Sequence, residues 1–326
     1  MNYDIVATLG PGSNAPAIWQ SMLDAGATAF RLNTSHLSLE QLQQWLDRLA
    51  PFLSTRNPVP PLVLDLQGSK WRLGEFTTRV LEPGQSIELV YALSSDHLNT
   101  LPVPHADFFQ AAPVSSDEIV LNDAKIRLVR EAIGVESLRA RVVAGGEISA
   151  RKGVTYAASN YRQEELGDKD RAILDQTRHF PYVRYAISYL RDAAEMRKYR
   201  AHFGDTAYLI AKLERQPAVD EAQLIAAIAD ELWLCRGDLG AELGLRAMAE
   251  AVHCFSGTLG NLPIPALLAG QVLEHMTGRP TPTRSEVCTL YEALIKDYRG
   301  FVLSDEAAIG CYPIESCHSA ALFRDS

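Results

Sequence analysis

Short apolar runs alternate with stretches of helical period from one end of the chain to the other. The runs are Asp4–Thr8, Thr28–Leu32, Leu62–Leu66, Tyr182–Ile187, Tyr208–Leu213, Glu231–Cys235, Pro265–Ala269 and Gly300–Leu303. Their length, and the helix-forming segments on either side, predict strands joined by crossover helices, which makes neighbouring strands parallel. Between Ser38 and Leu49, for example, Leu39, Leu42, Leu46 and Leu49 mark one helical face, and Ser38 with Gln41 forms a capping box. Another helical stretch, Ala218–Ala229, joins two of the strands. Eight such units predict an α/β protein built as a closed (β/α)8 barrel.

One region breaks the alternation. From about Leu73 to Lys152 the chain shows no helical period; Ser86–Val90, Glu118–Leu121, Lys125–Val129 and Leu138–Val143 read as short strands between turns such as Pro83-Gly84 and Gly145-Gly146. This predicts a small all-β domain, residues 73–152, inserted after the third barrel strand, with residues 1–72 and 153–326 forming the barrel. Both junctions fall at the carboxyl-terminal mouth, where a lid over a site would be placed.

The bulk numbers narrow the function. A chain of 326 residues with net charge −9 and pI near 5.4 has no electrostatic footprint for nucleic acid. The five cysteines, Cys235, Cys254, Cys288, Cys311 and Cys317, are odd in number and lack CxxC spacing, as expected of reduced thiols. No apolar run approaches the roughly 18 residues of a membrane span, and the amino terminus does not read as a signal peptide. A cytoplasmic protein is expected.

The candidate chemistry lies at the ends of the fifth and sixth strands. Lys212 and Glu214 are two residues apart and share a face, and the next strand leads into Gly237-Asp238. Parallel pairing places Glu214 and Asp238 at the same sheet edge, where barrels hold ligands. Two converging carboxylates repel unless a cation lies between them, and Mg²⁺ is commonly held by one or two carboxylates plus substrate oxygens. Gly237 permits close approach of the backbone to a ligand.

Several blocks at strand ends resemble those of the pyruvate kinase family. They are Ile5-Val6-Ala7-Thr8-Leu9-Gly10-Pro11, Arg31-Leu32-Asn33-Thr34-Ser35-His36, Leu64-Asp65-Leu66-Gln67-Gly68-Ser69-Lys70-Trp71-Arg72, Ser149-Ala150-Arg151-Lys152-Gly153-Val154, Ile210-Ala211-Lys212-Leu213-Glu214, Arg236-Gly237-Asp238-Leu239-Gly240-Ala241-Glu242 and Pro282-Thr283-Arg284-Ser285-Glu286-Val287. The resemblance implies phosphoryl transfer from phosphoenolpyruvate to ADP, giving pyruvate and ATP. It assigns Lys212, Arg31 and Arg72 to the transferring phosphoryl group, Glu214 and Asp238 to Mg²⁺ or Mn²⁺, and the Gly237 and Asp238 backbone to the substrate carboxylate. Gly270 falls at a further substrate position, and Lys152 and His36 at the nucleotide. Asn33, Ser35, Asp65 and the Leu66 carbonyl match the family's potassium cage. Lys70 stands where potassium-dependent members carry Glu, which implies that K⁺ is not required.

The pattern departs from the family at three places. Gly270 replaces a threonine whose hydroxyl is associated with proton delivery to the enolate; Gln67 replaces a lysine; and Ser304-Asp305-Glu306-Ala307 differs from Ser-Gly-Glu-Thr. The chain ends at Ser326 within the expected last barrel helix, so a short form without the family's carboxyl-terminal domain, and without effector control by that route, is expected. Helix faces that this domain would cover must then be polar or meet another chain, which leaves a homo-oligomer open. Two alternatives stand beside the kinase reading: a Mg²⁺-dependent enolate lyase, decarboxylase or aldolase acting on a 2-oxo acid, with Gly270 opening room at the third carbon, and a non-catalytic homologue.

Overall fold

The computed structural model of the protein describes residues 1–122, 125–157 and 166–324. The chain divides into two compact units, one made of Met1–Gly68, Glu165–Gly237 and Ala249–Ser326, the other of Ser69–Glu164 and Asp238–Met248.

In the first unit eight parallel strands close into a barrel: β1 (Asp4–Leu9), β2 (Ala29–Asn33), β3 (Leu62–Asp65), β4 (Val183–Ile187), β5 (Tyr208–Leu213), β6 (Glu231–Cys235), β7 (Ala266–Ala269) and β8 (Gly300–Leu303). Each strand pairs with the next, and β8 closes on β1 with Gly300 beside Asp4 and Leu303 beside Ala7. These bounds lie within one residue of those expected from the apolar runs. The helix expected at Ala218–Ala229 is instead two short ones, Gln216–Asp220 and Ala222–Ala226. The break falls at Glu221, whose carboxylate accepts a hydrogen bond from the Ala193 N–H at 2.9 Å.

The barrel interior explains where the polar chemistry sits. Val6, Ala29, Val63, Ala186, Ile210, Trp233, Leu267 and Val302, one from each strand, form a buried apolar layer. Strand alternation turns the residue two positions further along to the same side. That step reaches Thr8, Arg31, Asp65, Ser188 and Lys212, a polar layer resting on the apolar one.

The second unit contains a mixed sheet in the order Val154–Tyr156, Glu118–Leu121, Ile126–Ile133, Ser137–Ala144, Ser86–Val90, Thr100–Pro102, and a two-stranded sheet of Arg79–Leu81 with Gly146–Ile148. Trp71, Ile87, Leu89, Phe108, Leu128, Leu138 and Tyr156 belong to its core. It is not wholly β, because Ala106–Ala111 is helical. Six residues are too few to show a helical period. Tertiary packing fixes this turn: the Phe108 ring stacks on Tyr156 at 4.6 Å, and the Tyr156 hydroxyl donates to the Phe108 carbonyl at 3.0 Å. Among the described residues no helix is long and apolar enough to cross a membrane.

Glu306, just beyond β8, is fully buried in the first unit and accepts hydrogen bonds from the N–H groups of Leu273 (3.2 Å) and Ser304 (3.0 Å). Burial pushes its carboxyl up from 4.5 to about 7, against the pull of these donors. The folded state therefore keeps a proton that the unfolded chain gives up. Its contribution to stability is present in full below pH 4.5 and is lost as pH rises through about 7, a loss of about 3 kcal/mol. Glu306→Gln is expected to flatten this segment of the stability curve. Thermal midpoints measured from pH 4.5 to 8 should fall more steeply for the wild type than for the variant, and parallel curves would refute the assignment.

Candidate active site

At the carboxyl end of the barrel one carboxylate holds two cations. The Arg31 guanidinium donates to Asp65 Oδ2 through Nε (2.8 Å) and Nη2 (2.5 Å), while its Nη1 donates to Thr8 Oγ1 at 2.8 Å. Lys212 Nζ lies 3.2 Å from Asp65 Oδ1 and 3.1 Å from Oδ2. The same ammonium donates to Ser188 Oγ at 2.9 Å and pairs with Glu214 Oε1 at 2.7 Å. Ser188 in turn donates to Asp65 Oδ1 at 2.8 Å, and the Tyr189 N–H donates to Glu214 Oε2 at 2.7 Å. The side chains of Lys212, Asp65 and Glu214 are 9%, 2% and 1% exposed.

Burial alone would neutralise such groups, and mutual pairing prevents it. Desolvation pulls the Lys212 pKa down, but Asp65 and Glu214 more than reverse this, holding the ammonium protonated far above its ordinary range. Arg31 is likewise raised against its desolvation by Asp65. Burial pushes Asp65 up, yet Lys212 and Arg31 prevail and keep it ionised below the usual carboxylate range. The layer thus sets two cations against Asp65 and Glu214.

The loops that carry these groups are tied down from behind. Thr34 Oγ1 donates to the Asp65 carbonyl at 2.7 Å, and Lys169 Nζ donates to the Thr34 carbonyl at 2.6 Å. Asp170, 2% exposed, accepts the backbone N–H groups of Gln67 (3.0 Å) and Gly68 (2.9 Å). Gly68 has φ +61°, and a β-carbon there would stand 2.1 Å from the Ser188 carbonyl oxygen. Only glycine fits this close approach. Asp170, Ser188 and Lys169 were not singled out from sequence; the one available signal was the position of Ser188 at the end of a barrel strand.

The other expected site residues fall in two groups. Asn33 ends β2 and Ser35 follows it in the barrel unit, where the Asn33 side-chain oxygen accepts the Ser35 N–H at 3.2 Å; Leu66 follows β3, and its N–H donates to the Ala186 carbonyl. His36 is exposed on the same turn as Ser35. Lys70, Arg72, Lys152 and Asp238 belong to the second unit. There Lys70 Nζ pairs with Asp238 Oδ1 at 2.6 Å, Arg72 Nη1 donates to the Arg151 carbonyl at 3.2 Å, and Arg72 bridges Gly153 beside Lys152. Gly237 lies in the first turn of the helix that follows β6, Arg236–Ser256, which is interrupted at Gly244 (φ +77°).

Gly270 lies on a left-handed turn. It has φ +84°, and a β-carbon on it would stand 2.9 Å from the Gly237 nitrogen and 3.2 Å from that of Arg236. Arg236 fastens the turn, donating through Nε to the Gly270 carbonyl (3.0 Å) and through Nη2 to that of Gln271 (2.8 Å). A side chain at this position would therefore be strained by both the backbone angle and this contact.

Glu214 in the first unit and Asp238 in the second are each hard oxygen donors of the kind that suit Mg²⁺ or Mn²⁺, and each faces an ammonium, Lys212 and Lys70 respectively. Among the described residues no group of three or more His, Cys, Asp or Glu forms a cage.

Removing the shared carboxylate should leave Arg31 and Lys212 with Glu214 as their remaining counter-charge in this layer, an excess buried positive charge that costs about 3–5 kcal/mol. Asp65→Ala is expected to lower the thermal midpoint more than the double variant Asp65→Ala with Arg31→Met, which removes one of the stranded charges. A double variant less stable than the single one would contradict the arrangement.

Comparison with known proteins agrees with this geometry. The family model "Pyruvate kinase, barrel domain" matches residues 1–317. Pyruvate kinases from Methylorubrum extorquens and Agrobacterium vitis are 33% and 31% identical to this chain over 318 and 315 residues, covering 96% of it. One from Aeropyrum pernix is 30% identical over 316 residues, also covering 96%. The chain spans 66% of the length of the first two relatives and 68% of the third. With eight parallel strands, a charged layer at their carboxyl ends and this match along nearly its whole length, the chain belongs to the pyruvate kinase family.

Proposed function

We propose that the chain is a pyruvate-kinase-like phosphotransferase that moves the phosphoryl group of phosphoenolpyruvate to ADP, dependent on Mg²⁺ or Mn²⁺ and without a requirement for K⁺. The observation that carries this reading is the pairing of Arg31 and Lys212, both buried and both held charged, on Asp65. A phosphoryl group in flight needs fixed positive charge and alignment more than covalent chemistry. Arg31 offers the fork suited to phosphoryl oxygens, and Lys212 a point charge. Their positions are set before substrate arrives, so little reorganisation is needed during reaction.

Charge balance supports the metal. Arg31 and Lys212 are matched by Asp65 and Glu214, and Lys70 by Asp238, so a substrate bearing both a phosphate and a carboxylate calls for added positive charge. Glu214 and Asp238 would hold Mg²⁺ or Mn²⁺, which when bound supplies that charge to phosphoryl and enolate oxygens. The N–H groups of Gly237 and Asp238, in the first turn of their helix, would receive the substrate carboxylate. Arg72 would reach the phosphoryl group, and Lys152 and His36 would serve the nucleotide. In the cage positions, the Asn33 oxygen is engaged by Ser35 and the Asp65 carboxylate by two side-chain cations, which supports K⁺ independence.

Pyruvate release from phosphoenolpyruvate should require both ADP and Mg²⁺, and Lys212→Ala should lower it about 10²–10³-fold. Turnover no higher than in that variant would refute the kinase reading. Replacing Na⁺ by K⁺ at constant ionic strength should leave the rate nearly unchanged; a large rise would refute K⁺ independence.

A further inference from the structure

We infer that Lys70 is a resident counter-cation on Asp238 that holds down the affinity of the protein for a divalent metal until substrate arrives. The inference rests on the reading of Asp238 as a metal ligand. Lys70 Nζ lies 2.6 Å from Asp238 Oδ1, with side chains 9% and 22% exposed. The ammonium has a defined path to that oxygen. Its tail runs over Gly153, where an added β-carbon would stand 2.1 Å from Lys70 Cε and 2.8 Å from Nζ. Any side chain at position 153 would displace it.

The physical consequence follows from charge. A divalent ion on Asp238 must either take the oxygen that Lys70 occupies or share the carboxylate with it. In the second case a unit charge and a dication lie within a few ångströms of each other. Even at the dielectric constant of water their repulsion amounts to about tenfold in affinity, and more in a partly buried site. Substrate anions reverse the balance, because they add negative charge that both cations can face. Metal binding and substrate binding are thereby coupled through Lys70.

Mn²⁺ binding to the substrate-free protein, measured by electron paramagnetic resonance and calorimetry, tests this without any assay of turnover. Lys70→Met, which keeps an unbranched tail and removes the charge, should tighten Mn²⁺ binding about tenfold or more. Gly153→Ala, which keeps the lysine but obstructs its path, should move affinity in the same direction. Lys70→Arg should stay close to the wild type, and Asp238→Asn should bind much more weakly. A merely structural lysine that props Asp238 in place predicts the opposite sign, weaker binding in Lys70→Met. Unchanged or weaker binding in that variant, with binding lost in Asp238→Asn, overturns the inference and leaves the metal reading standing. No Mn²⁺ binding by the wild type or Lys70→Met overturns both.

Discussion

The Asp65 carboxylate between Arg31 and Lys212 is the interaction on which the site depends. Neither cation could be buried alone at the end of an apolar barrel, since desolvation would drive the lysine to give up its proton. One carboxylate, itself ionised because of its neighbours, keeps both charged and fixes both in place. Ser188 and Thr8 complete the hydrogen bonding, so orientation as well as charge is set. The barrel makes this feasible, because β1 to β5 pair consecutively and in parallel and so set these groups side by side on one layer.

On the proposed reading, the layer receives an anion whose charge a bound metal would help to balance. Its cations are matched by carboxylates within the layer, so bare positive charge is not presented to solvent. Phosphoryl oxygens would add negative charge beside Arg31 and Lys212, whose places Asp65 already fixes, and so would favour a bound divalent cation. In this account, affinity for substrate and for metal rise together, as expected of sites that share charges.

Much of this was legible in the sequence. Strand alternation put Lys212 and Glu214 on one face, and the apolar runs marked the barrel strands to within one residue. Other parts could not be read locally. Ser188 acquires its role because β4 lies between β3 and β5, and Asp170 reaches Gln67 and Gly68 from a helix far along the chain. Gly270 is a related case: the sequence shows a missing side chain, while the positive φ and the hydrogen bonds from Arg236 that fasten its turn come from the fold. The helix Ala106–Ala111 was hidden because packing against Tyr156, rather than a repeating pattern, defines it.

The central claim is that this charged layer passes a phosphoryl group from an enol ester to a nucleoside diphosphate. Phosphorus NMR on a single turnover tests it most directly, with protein in excess over phosphoenolpyruvate and with ADP and Mg²⁺ present. The account predicts that the phosphoenolpyruvate resonance is replaced by the γ-phosphate of ATP. Conversion to inorganic phosphate, or an unchanged phosphoenolpyruvate signal, would contradict it.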